Sequence, residues 1–223
     1  MFKMSLNIVA IMLLMVLQGV AQKNTGKNHT DEAYWEVVSK RAEKIADKLN
    51  IEDEAKFNRV RDLIAQQYYD LNGIHDQSKV AKEQVKKENE NKESVTAKTA
   101  KIQQKADKDL AKLHKQYLKN LAKELNDEQI EGVKNGMTYG VLPITYAGYL
   151  DMIPELSREE QQQIYDWLVE AREQAMDAGS SDEKHGWFGK YKGRINNYLS
   201  ARGYDLKKLS KEWEERIREN QKK

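Results

Sequence analysis

The residues with the greatest capacity for chemistry lie together late in the chain, in the run KHGWFGKYKGRINNYLSARGY at positions 184–204. Five aromatic rings, five Lys or Arg, one His and four glycines share these positions with no Asp or Glu, while the whole chain has a formal net charge of only +2. Flat rings stack on the C–H faces of sugars, amides and cations bond their hydroxyls, and a forked Arg grips a carboxylate, so an acidic sugar is the ligand that uses the whole mixture. Single-stranded nucleic acid also wants rings and a basic groove. The near-balance of 38 Lys or Arg against 36 Asp or Glu argues against it. A membrane surface needs a contiguous apolar face, which Gly186, Gly189 and Gly193 interrupt.

The same run also reads as an ordinary amphipathic helix. Trp187, Tyr191, Ile195, Tyr198 and Leu199 then fall on one stripe, the spacing of a core face. Lys190, Arg194 and Asn197 face away from it, and Gly186 and Gly189 point to close backbone approach by another element. The expected partner is positions 135–156, NGMTYGVLPITYAGYLDMIPEL, where glycines, Pro143 and three tyrosines interrupt the helical rhythm and suggest an irregular crossing segment. If helix and segment meet, Thr138 joins the cleft, and the candidate sugar-binding residues are Tyr139, Tyr146, His185, Trp187, Lys190, Tyr191, Arg194 and Asn197.

The alternative is an enzyme, lyase or hydrolase, on acidic polysaccharide; eliminative cleavage of a uronate would place cations on the carboxylate with His185 or Tyr191 as the base. No nucleophile elbow, zinc-binding helix motif, phosphate-cradling loop or dinucleotide fingerprint occurs. The four histidines lack metal-ligand spacing, and the absence of cysteine removes thiolate sites, disulfides and a Cys nucleophile. Neither a metal nor a cofactor is expected.

The elements that must hold these residues read as helices. Proline occurs only at 143 and 154, and a mean hydropathy of −0.88 suits one modest core rather than a large layered enzyme. Apolar stripes at helical spacing run through Trp35, Val38, Ala42, Ile45 and Leu49; Phe57, Val60, Ile64, Tyr68 and Leu71; Ile164, Trp167, Leu168, Ala171 and Ala175; and Leu206, Leu209, Trp213 and Ile217. Asn50, Asn126, Ser157 and Ser180 each precede an acidic or amide residue by three, the pattern of a capping box. Gly73 marks the end of the second helix or a bend in it.

Positions 79–124 hold thirteen Lys against seven Asp or Glu. Large apolar side chains are scarce in the first half and regain a stripe at Leu110, Leu113, Tyr117, Leu121 and Leu125. About 76–105 therefore reads as a polar helical or mobile insert, and the basic stretch Lys79 to Lys123 could dock an envelope protein if the molecule is an adaptor. The fold class is all-α, an antiparallel multi-helix bundle with a protruding basic helical hairpin and one irregular Gly/Tyr-rich crossing segment.

Residues 1–21 combine an early cation at Lys3, an apolar run too short to span a bilayer, and small residues at Gly19 and Ala21. They read as a signal peptide cleaved after Ala21, leaving 22–223 as a single exported helical domain, periplasmic or extracellular, with no membrane span.

The segments VKNGMTYGVLPITYAGY (133–149), LVEAREQAMDAGSSDEKHGWFGKYKGRINNYLSARGYDL (168–206) and RAEKIADKLN (41–50) resemble a family of exported proteins of Gram-negative polysaccharide degraders, DUF3826, whose function is unknown and which carries a sugar-binding label. The resemblance spans essentially the whole chain after residue 21. It implies capture or processing of an oligo- or polysaccharide outside the cytoplasm and brings no catalytic residues with it.

Overall fold

The structure, a computed structural model, describes residues 29–88 and 91–220. The expected signal peptide lies outside the described residues. Eight α-helices follow one another, with no strand among the described residues: α1 (His29–Ala46), a short 3-10 turn (Asp47–Leu49), α2 (Glu54–Lys87), α3 (Lys92–Glu124), α4 (Asp127–Met137), α5 (Val141–Met152), α6 (Arg158–Met176), α7 (Ser181–Ala201) and α8 (Leu206–Asn220). The all-α bundle is thus the fold. The described residues from Tyr34 onward form one compact unit; the described residues of the other, 29–33, are helical.

Two apolar clusters hold the compact unit together. In the first, Val38, Ala42 and Ile45 of α1 meet Val60 and Ile64 of α2, Tyr117 and Leu121 of α3, and Val133 and Met137 of α4. In the second, Leu142 and Tyr149 of α5 meet Ile164, Trp167 and Leu168 of α6, and Phe188, Ile195 and Leu199 of α7. Each fully buried Ile or Leu contributes roughly 1.5–3 kcal/mol. Helix α6 serves both clusters, since its last residue, Met176, belongs to the first.

Between the clusters α4 and α6 are locked by charge. The buried Arg172 guanidinium donates to both oxygens of Glu131 (2.6 and 2.9 Å), to Asn135 Oδ1 (3.0 Å) and to Glu173 Oε1 (3.2 Å). Lys134 Nζ lies 3.2 Å from Glu173, and His114 of α3 places Nδ1 2.8 Å from Asp177 and Nε2 3.4 Å from Glu173. A planar fork engaged bidentately fixes orientation as well as distance, so this seam sets the register of α6 on α4.

Several sequence expectations are corrected. Positions 135–156 are not an irregular crossing: α4 and α5 cover most of them, and only residues 138–140 and 153–156 lie outside the helices. Pro143 is compatible because it sits in the first turn of α5, where its missing N–H would have had no intrahelical acceptor. Asn126 and Ser157 form the expected capping boxes with Gln129 and Glu160, and the Ser180 hydroxyl accepts the Glu183 N–H. Asn50 does not cap α2: it turns left-handed (φ 51°) to end the 3-10 turn, and Asp53 takes the cap by accepting the Lys56 N–H at 2.8 Å. Gly73 neither ends nor limits α2, which continues to Lys87.

The basic insert is the far half of the α2–α3 hairpin. A helix of 34 residues is about 50 Å long. No described residue between 76 and 105 is buried, and none belongs to either apolar cluster. Lys82 with Gln103 and Glu88 with Lys98 tie its two arms.

Candidate functional site

A cavity of about 850 Å³ is bounded by α1, α2, the α4–α5 turn and the start of α7. Its charge is one-sided. Arg41, Lys44, Lys48 and Lys184 line it, with no carboxylate among the lining residues. Arg41 and Lys44 project from α1 and Lys48 from the 3-10 turn, all three exposed; among the described residues none of the three has an ion-pair partner. The Arg41 charge is felt at the Tyr34 and Tyr68 hydroxyls and at the Lys184 ammonium, which places these four groups around one space.

Two glycines shape the floor. A Cβ on Gly132 would lie 2.9 Å from Leu49 Cδ2, and one on Gly136 2.9 Å from both Ile45 Cγ atoms. Their absence lets α4 lie against α1 and the following turn. The close approach expected at Gly186 and Gly189 is absent: no atom comes within 4 Å of a Cβ built there. Both lie on the exposed side of α7, so the close contacts belong to α4.

At the mouth, Tyr139 and Gly140 are consecutive left-handed residues (φ 59° and 67°). For a tyrosine that conformation costs on the order of 1–2 kcal/mol. It turns the ring outward, 54% exposed, onto the His185 imidazole, with centroids 5.5 Å apart and planes 15° from parallel. Ile144, 70% exposed, adds an apolar rim.

Lys184 forms the inner end. It is buried, and its ammonium donates to the carbonyls of Ala175 (2.8 Å) and Met176 (3.1 Å) at the end of α6. Burial pushes its pKa down to about 8, so it stays mostly protonated at neutral pH. Behind it His75 Nε2 sits 2.7 Å from the Asp177 carbonyl, and the His75 ring leaves no room for a Cβ on Gly179.

The structure brings together only part of the site expected from sequence. Tyr139 and His185 meet at the cavity mouth. Tyr146 packs instead edge-on against Tyr165 (5.3 Å) beside the second apolar cluster. Thr138 is fully buried, its hydroxyl donating to the Lys134 carbonyl at 2.8 Å, and lines no cleft. The other five are on the outer side of α7, outside the cavity lining. Lys190 lies over the Trp187 ring (5.0 Å), and Arg194 over the Trp167 ring (4.5 Å) with Glu170 3.5 Å from its Nη1. Tyr191 is half-buried beside Glu170, and burial, then that carboxylate, push its hydroxyl pKa up, away from what a base at neutral pH needs. Asn197 is exposed. The core stripe of α7 also differs: Phe188, Ile195 and Leu199 are buried, whereas Trp187, Tyr191 and Tyr198 are half-exposed.

Sequence reading missed Tyr34, Arg41, Lys44, Lys48, Tyr68 and Lys184. One signal was available for the α1 row: none of its three cations has an acid four residues away inside the helix, so none has a helical ion-pair partner at that spacing. Lys184 gave no such signal, because its partners are backbone carbonyls. Among the described residues no His, Asp and Glu side chains converge as a metal-ligand set, and no helix is long and apolar enough to cross a membrane.

An all-α bundle carrying a basic, tyrosine-edged cavity is the class of protein that fold and site define. The chain belongs to the family described as a protein of unknown function, DUF3826, which matches residues 35–219. No curated protein matches it.

Proposed function

We propose that this protein binds carbohydrate in the cell envelope, outside the cytoplasm, and that the sugar carries carboxylates, as uronic acids do. The observation that carries the reading is the cavity itself: four cations, no carboxylate, and tyrosines at its wall and mouth. A cavity of that size accepts a small oligosaccharide. The exposed Tyr139 ring, held outward by a strained backbone, offers a stacking face, while Arg41 offers the forked donor that suits a carboxylate. Strain at one outward-facing aromatic is the kind retained where a ligand uses it.

The test is affinity electrophoresis through gels containing a uronate polysaccharide or its carboxyl-reduced, neutral counterpart. Retardation by the acidic polymer alone is expected. Arg41→Ala should weaken it about tenfold, the loss of one charge-assisted contact, and Tyr139→Ala should weaken it too, whereas Arg194→Ala should leave it unchanged because Arg194 already faces Trp167 and Glu170. Equal retardation by both polymers, or by neither, sinks the reading. If Arg194→Ala weakens binding and Arg41→Ala does not, the site belongs on the outer face of α7.

A further inference from the structure

Resting on that reading, we infer that the cavity recognises a run of successive acidic sugars rather than a single carboxylate. A site built for one carboxylate converges its donors on a point. Here Arg41, Lys44 and Lys48 stand at positions i, i+3 and i+7, so they rise along the α1 axis in steps of about 5 Å and about 6 Å. They form a row, not a cluster. All three are exposed and line the same cavity, and among the described residues no ion pair occupies any of them.

The energetics favour a repeated ligand. A single carboxylate placed at Arg41 leaves Lys44 and Lys48 to solvent and gains little from them, since exposed charges more than a contact apart are screened. An acidic chain lying along α1 meets each cation in turn and replaces water at all of them with one ordered ligand. The surface beneath the row suits a sugar backbone: Ile45 and Gly136 lie under the cations, while Tyr139 and Ile144 stand at the mouth. Lys184, at the inner end, is held by two carbonyls and does not move to follow a ligand.

Titration calorimetry with galacturonic acid and its linear dimer, trimer and tetramer distinguishes the cases. Affinity is expected to rise at least tenfold from monomer to trimer, with a salt dependence that steepens with each added unit. Lys48→Gln should lower trimer affinity several-fold and monomer affinity by a clearly smaller factor; the residue is exposed, and an unchanged circular dichroism spectrum would show that the variant folds. A monomer bound as tightly as the trimer overturns the row while leaving acidic-sugar binding intact. Tripolyphosphate bound more tightly than the trimer shows that charge alone is read and also overturns it. Binding of none of the sugars overturns both this inference and the reading it rests on.

Discussion

At the scale of single residues, the most consequential side chains are cations whose surroundings decide their role. Arg172 is enclosed by two carboxylates and an amide and holds α6 on α4; Arg41 has no such partner and faces the cavity. His114 belongs to the first kind. The nearby Asp177 carboxylate, then that of Glu173, raises its pKa to about 9. Burial pushes Glu173 up, but His114, Lys134 and Arg172 outweigh it and hold that carboxyl down at about 2. Because the folded pKa of His114 lies above the unfolded value near 6.5, its contribution to stability is fully present below about pH 6.5 and lost as pH rises through about 9. The stability difference between wild type and His114→Gln, read from urea denaturation at several pH values, should be largest near pH 6 and shrink toward pH 9. A difference that does not vary with pH would show that His114 is not charged by its carboxylates.

At the scale of elements, the site depends on how closely α4 approaches α1. Gly136→Ala places a methyl group 2.9 Å from two branched carbons of Ile45. Both belong to a buried, β-branched side chain that cannot swing clear, so α4 must shift outward. Overpacking of this kind costs about 1–3 kcal/mol, and thermal melts should show it; Gly186→Ala, with open space around its Cβ, should leave the melting temperature unchanged or raise it through better helix propensity. Equal effects of the two substitutions would remove the close-approach argument. The sequence carried most of this level: apolar stripes located the helices, and Asn126, Ser157 and Ser180 marked three of their starts. It misled at 135–156, where glycine, proline and tyrosine together suggested irregularity. Two short helices form there because Pro143 falls in a first turn and the surrounding apolar side chains find partners in α6.

At the scale of the whole molecule, the two clusters and the hairpin have different standing. Removing residues 84–101 and closing the arms with a short glycine-containing turn takes away no buried side chain among the described residues. The loss of stability should stay below about 1 kcal/mol, a fall of a few degrees in melting temperature. Sugar affinity should be unchanged, because every residue lining the cavity lies outside the deleted segment. Amides in 76–105 should also exchange with solvent faster than those of α6, since local opening there exposes little apolar surface. A large fall in melting temperature would mean that the hairpin tip is part of the core, and lost function in the cell with unchanged sugar affinity would support its use as a docking arm.

The sequence by itself determined the helical class, most helix positions and the basic, aromatic character of the run at 184–204, because these follow from spacing along one chain and from local capping. It could not determine which cations would share a space. Arg41 and Lys184 are 143 positions apart in the chain, and they meet only because Gly132 and Gly136 bring α4 onto α1 while the buried seam at Arg172 sets α6, and α7 after it, against α4. Lys190, Arg194 and Asn197 looked equally suited to a ligand, yet the side of α7 that the core selected turns them away from the cavity. Helical periodicity shows which residues share a face; only the packing of one helix on another decides which face looks into the cavity.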